Sequence, residues 1–145
     1  MDIETVGAAE TFDGLGDRFK TLWARKAAFF KRDEGQTAED LFAQRAGIYD
    51  EFGRVVVIAF GRYFDCENGD LGFKTRYFAG EDEKELLTNF RIMLEKQDPV
   101  NTRLCAHNGK EFDFPYLCRR MLVNDMAPPA GLNQTGRKPG DVTTL

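Results

Sequence analysis

Apolar residues recur along this chain in two rhythms, and the change from one to the other predicts its elements. Between Arg18 and Lys31, the residues Phe19, Leu22, Trp23, Ala27 and Phe30 fall at helical spacing, which predicts a helix capped by Asp17. A shorter helix is expected from about Thr37 to Ala46, stopped by Gly47. The run RVVVIAFGRYF, Arg54 to Phe64, is β-branched and aromatic and reads as a buried strand. Asn68-Gly69 centres a turn, and FKTRYFA, Phe73 to Ala79, alternates as the return strand of a hairpin.

The clearest helix is GEDEKELLTNFRIMLEKQ. Leu86, Leu87, Phe90, Met93 and Leu94 form its apolar stripe, and its acidic first turn suits the positive end of the helix dipole. After Asp98-Pro99, RLCAH reads as a short strand. DFPYLCRRMLVND then reads as a helix, with Pro115 tolerated in its first turn. The remainder, APPAGLNQTGRKPGDVTTL, is rich in turn-forming residues. A hairpin followed by helix, strand and helix is a mixed α/β layout.

Composition narrows the class. At 145 residues, 42% hydrophobic and 30% charged, the chain suits one globular domain rather than a disordered one. No apolar run approaches the roughly 20 residues that span a bilayer, and Asp2 and Glu4 right after Met1 do not fit a signal peptide. No membrane partner is expected. Three cysteines, Cys66, Cys105 and Cys118, form no CxxC pair; this disfavours a disulfide framework or zinc knuckle and fits a reducing, cytoplasmic setting.

Charge distribution changes the picture more than net charge does. Arg18, Lys20, Arg25, Lys26, Lys31 and Arg32 are six cations in one stretch without an acid. Taking them from the net charge of −4 leaves −10 on the rest. Such a segment is either a solvated helix face or an electrostatic footprint for phosphates.

Two short stretches hold the candidate chemistry. In DIET, Asp2 and Glu4 are separated by one residue, so on a strand both carboxylates point to one side and Ile3 to the other. Adjacent like charges repel unless a cation lies between them, and hard divalent ions take one or two carboxylates together with water and phosphate oxygens. In AHNGKEFDFPYL, Asn108 and Asp113 bracket GKEF at the start of the last helix. Asp113 there is either a helix cap or a third metal-facing carboxylate, and Asn108-Gly109 either a plain turn or part of a site. His107, the sole histidine, reads as structural.

DIET together with AHNGKEFDFPYLCRR resembles the first two motifs of the DEDD superfamily of 3′–5′ exonucleases, D-x-E and N-x₂₋₃-[FY]-D. The sequence is most similar to the proofreading exonuclease domain of family B DNA polymerases and to stand-alone bacterial proteins like it. Asp2 and Glu4 match the first motif; Asn108, Phe112 and Asp113 match the second; FDFPYL followed by Arg120 matches its polymerase-like continuation. The resemblance implies a ribonuclease H-like fold: a mixed sheet flanked by helices, here incomplete, in a single partial domain over residues 1–145 with a helical insertion at about 7–50.

It further implies hydrolysis of phosphodiester bonds at 3′ ends of nucleic acid, single-stranded DNA foremost, with two Mg²⁺ or Mn²⁺ ions. Asp2, Glu4 and Asp113 would be the catalytic, metal-binding carboxylates. Thr5, Asn108 and Phe112 would line the substrate. The family's third motif, Y-x₃-D or H-x₄-D, is not found ahead of Asp125 or Asp141. The chain is therefore expected to be a truncated form with weak or no activity, or a non-catalytic nucleic-acid-binding module that keeps the fold. An incomplete sheet would also leave an open edge, and self-association through it is expected.

Overall fold

The computed structural model describes residues 1–98 and 102–132. Element order is β1 (Asp2–Gly7), α1 (Asp17–Ala27), α2 (Ala38–Arg45), β2 (Gly53–Asp65), β3 (Leu71–Ala79), α3 (Glu83–Glu95) and α4 (Asp113–Val123), with short 3-10 turns at Phe12–Gly14 and Ala46–Ile48. The strands form one sheet of order β1-β2-β3. Among the described residues, three strands and four helices make the α/β class expected, in accord with a ribonuclease H-like plan. The chain forms two compact units, one of Thr5–Arg54 and one of Met1–Glu4 with the chain from Val55 onward.

The core of the 5–54 unit is aromatic. Trp23 is fully buried, with Phe42 and Phe52 edge-on to it at 5.2 and 5.0 Å between ring centres. Its indole N–H donates to the Ala38 carbonyl at 2.8 Å, so this buried polar atom is satisfied. α1 begins one residue earlier than expected: Gly16 is the cap, and Asp17 lies in the first turn without capping it. α1 also ends at Ala27 rather than Lys31, because Phe30 turns back to stack on Tyr49 at 5.5 Å while the Arg32 Nε donates to the Ala27 carbonyl. α2 starts with a capping box between Thr37 and Asp40. A side chain at Gly47 would strike the backbone of Thr5 and Val6, which is why a glycine follows this helix.

In the other unit Ile3, Val55 and Ile58 of the sheet pack with Leu86, Leu87 and Phe90 of α3 and Phe114, Tyr116, Leu117 and Met121 of α4. β2 and β3 pair antiparallel from Val57 opposite Ala79 to Asp65 opposite Leu71. The turn joining them places Gly69 at φ +84, a conformation glycine adopts without strain. Only the first half of β2 is buried, contrary to the continuous buried strand expected. Phe60 and Phe78 reach Phe90, but beyond them both strands run out past the core. There the hairpin supports itself: the Phe73 ring lies over Gly61 on one face and the Phe64 ring over Gly72 on the other.

Residues 103–107 form no strand, correcting the expectation for RLCAH. The Met1 amine donates to the Cys105 carbonyl, but one terminal bond does not make a ladder. The tail after α4 is held by Cys118, whose thiol donates to the Leu132 carbonyl at 3.2 Å and is pushed up to about 11 by burial. Most of the turn-rich tail lies outside the described residues.

Candidate active site: carboxylates at β1 and the start of α4

β1 alternates as DIET predicts: Asp2 and Glu4 are exposed and Ile3 is buried in the core. At the other pole of the site, the turn 107–110 leads into α4. Asn108 adopts φ 54, the left-handed region in which Asn is enriched, and its carbonyl accepts from the N–H groups of Glu111 and Phe112, both at 3.0 Å. Gly109 follows because a side chain there would collide with Ala106 and the Phe114 ring. The turn so formed delivers Asp113 to the first residue of α4. It does not serve as the cap: Phe112 holds that position and makes no side-chain capping bond.

Asp113 is only 2% exposed, and its Oδ1 is buried without a hydrogen-bond partner among the described residues. Burial lifts its carboxyl above the usual range; its own N–H pulls it back, the Asp2 carboxylate lifts it again, and the Ile3 N–H and the terminal amine oppose. Asp2 and Asp113 are thus near enough to repel each other. A buried, half-satisfied carboxylate with a second carboxylate beside it is costly without a cation, and the donor set is the oxygen type that Mg²⁺ and Mn²⁺ favour. These two side chains fit a divalent ion in chemistry. Among the described residues, however, no three His, Cys, Asp or Glu side chains gather closely enough to hold one.

Of the residues expected to line the substrate, Thr5 is half-buried on β1 and Asn108 is exposed in its turn. Phe112 is half-buried with its ring 5.4 Å from that of Tyr116. A cavity of about 320 Å³ opens beside the turn, lined by Leu104, Asn108, Lys110 and Phe114 among others. His107 is exposed in the same turn.

Sequence reasoning missed the support behind the site. Glu83, at the start of α3, is 8% exposed, and its Oε1 accepts from the Val55 N–H at 2.7 Å and from the Arg120 Nε at 2.9 Å. Its Oε2 accepts from the Arg120 guanidinium at 2.6 Å and the Asn124 amide at 3.0 Å. Burial works to raise the Glu83 carboxyl, but Arg120, Val55 and Asn124 outweigh it and hold it below the usual range. The signal was present: Glu83 stands three, four and seven residues before Leu86, Leu87 and Phe90, on the buried stripe.

The family model described as DNA polymerase family B, exonuclease domain, matches residues 63–142, more than half of the chain. The match includes Asn108, Phe112 and Asp113 and begins beyond Asp2 and Glu4. No curated protein and no solved structure matches. The chain belongs to the exonuclease-domain family of the family B DNA polymerases.

Proposed function

We propose that the chain is a metal-dependent 3′–5′ exonuclease module acting on single-stranded DNA, with Asp2, Glu4 and Asp113 holding its Mg²⁺ or Mn²⁺ ions. The observation that carries this reading is the buried, unpartnered Oδ1 of Asp113 beside Asp2. Bound divalent ions supply charge stabilisation at the phosphate and a water that ionises near neutral pH. Mg²⁺ sites commonly use only one or two carboxylates and complete their shell with water and phosphate oxygens, so the open arrangement here is compatible with ions that arrive with substrate. Asn108 and Phe112 position the terminal nucleotide, Phe112 by stacking on a base, and Thr5 faces the 3′ end. The three free cysteines suit a reducing, cytoplasmic setting.

A second reading is favoured by the absence of a three-acid group among the described residues. In it the chain binds nucleic acid without cutting it. Incubation of the chain with a 3′-labelled single strand and Mn²⁺ separates the two. Under the first reading, label is released slowly and Asp2→Asn abolishes release; binding without any release, in the parent as in the variant, supports the second.

We also propose that two copies pair through β3. Leu71, Phe73 and Tyr77 are 67, 57 and 73% exposed on this edge strand, an unusual length of apolar edge. Light scattering over a hundredfold concentration range should show mass rising toward a dimer, and Tyr77→Lys should suppress it. A constant monomer mass ends this proposal.

A further inference from the structure

The 5–54 unit carries a feature that the carboxylate site does not use. Of the six cations between Arg18 and Arg32, both α1 lysines are engaged within the unit. Lys20 pairs with Asp13 at 3.3 Å; Lys26 pairs with Glu51 at 3.1 Å and sits 3.9 Å from the centre of the Tyr49 ring. The arginines are disposed differently. Arg18 and Arg25 are exposed, with no ion pair among the described residues, and Arg32 spends only its Nε, on the Ala27 carbonyl.

Arg18, Leu22 and Arg25 are four and three residues apart and therefore share one face of α1, with about 10 Å between the arginines along the axis. Leu22 is 40% exposed on that face. Phe29, two residues past the end of α1, is 90% exposed, more than any other large hydrophobic side chain among the described residues. The buried residues of α1, Trp23 and Ala27, belong to the opposite face. An apolar ring held almost wholly in water gains nothing for folding. Arginine offers phosphate a bidentate fork that lysine does not, and an exposed ring stacks on any base.

We infer that Arg18, Arg25, Arg32 and Phe29 form a metal-independent binding surface for single-stranded nucleic acid, separate from the carboxylate site. The inference rests on the reading that the substrate is a nucleic acid strand. Charge complementarity selects the occupant: outward arginines with an aromatic platform, on a chain whose remaining charge is strongly negative. The surface holds a strand by itself, and it works when the metals are absent.

The test uses the full chain and a fluorescein-labelled oligothymidylate in EDTA, so that the carboxylate site contributes no metal-mediated contact. Binding should weaken with salt, with a log–log slope of about −2 for three phosphate contacts on a single strand. Arg18→Gln/Arg25→Gln/Arg32→Gln should flatten that slope, and Phe29→Ala should cost about fivefold or more in affinity. Melting curves of Arg18→Gln/Arg25→Gln and of Phe29→Ala should overlay the parent, since these side chains lie outside the core, while the triple variant also loses the Arg32 Nε bond to the Ala27 carbonyl. No binding by the parent in EDTA, or equal slopes in parent and triple variant, overturns the inference. So does preferential binding of vesicles rich in phosphatidylserine, or of a polyglutamate peptide, over the oligonucleotide. A parent that fails here yet shows Asp113-dependent stabilisation by Mn²⁺ loses this surface and keeps the proposed nuclease site.

Discussion

Replacing Arg120 with leucine should lower the melting temperature by about 10 °C. The Glu83 and Arg120 side chains are 9 and 10% exposed, so the pair is cut off from solvent, and Glu83 meets four donor groups. Removing the cation leaves a buried carboxylate short of its partner, which costs about 3–5 kcal/mol. For a chain of this size each kcal/mol moves the midpoint by about 2–4 °C. The double replacement Glu83→Leu/Arg120→Leu should recover most of the loss, because it strands no charge. Calorimetry at pH 7 decides the matter: a melt of Arg120→Leu within about 2 °C of the parent would refute a buried ion pair. The pH dependence carries a sign. Because the Glu83 carboxyl is held low in the folded chain, its contribution is present above the ordinary glutamate range and lost as pH falls through its folded value.

Asp113→Asn should do two opposite things. Without metal it should raise the melting temperature at pH 7–8 by a few degrees, since an ionised, half-satisfied carboxylate is removed from the interior at a gain of about 1 kcal/mol. With Mn²⁺ in excess the order should reverse. The parent gains stability by mass action, about 2.7 kcal/mol at a hundredfold excess over the dissociation constant, and the variant gains nothing. The sign of the acid dependence is opposite to that of Glu83. A carboxyl raised on folding penalises the native state only once it ionises, so the advantage of Asn should be full above the folded value and vanish below the ordinary aspartate range. Thermal shift with and without Mn²⁺ from pH 4 to 8 reads both effects. An Asn variant that is still stabilised by Mn²⁺ would remove Asp113 from the ligand set.

The hydrophobic rhythm made most elements legible, and the misses have physical causes. The stripe Leu86, Leu87, Phe90 located α3, and the capping chemistry of Thr37 and Asp40 located α2. Helix ends were less legible: α1 stops short of its apolar pattern because Phe30 prefers Tyr49, a tertiary contact that periodicity does not encode. RLCAH has strand-like composition, but pairing depends on a neighbour as well as on propensity. β2 reads as uniformly buried from its side chains, while its outer half is exposed.

Around the candidate site, the i, i+2 spacing of Asp2 and Glu4 gave their common face, and NGKEFD gave the turn that carries Asp113 into α4. What the local pattern did not reveal is that Asp113, Tyr116, Leu117, Arg120 and Met121 form one buried helical stripe. An acid and a base on an apolar stripe are each a demand for a partner elsewhere in the chain. Arg120 finds its own in Glu83, 37 residues away, beyond the reach of any local rule. Asp113 does not find a complete one among the described residues.

The rings seated over Gly61 and Gly72 give the outer hairpin a bracing of its own. A two-stranded ribbon without a core beneath it is ordinarily too weak to hold a shape. This one is clamped from both faces, and its base is wedged by Phe60 and Phe78 against Phe90 of α3. It should therefore behave as a stiff spar rather than a loose flap, so that a load applied near Gly69 is felt at its root.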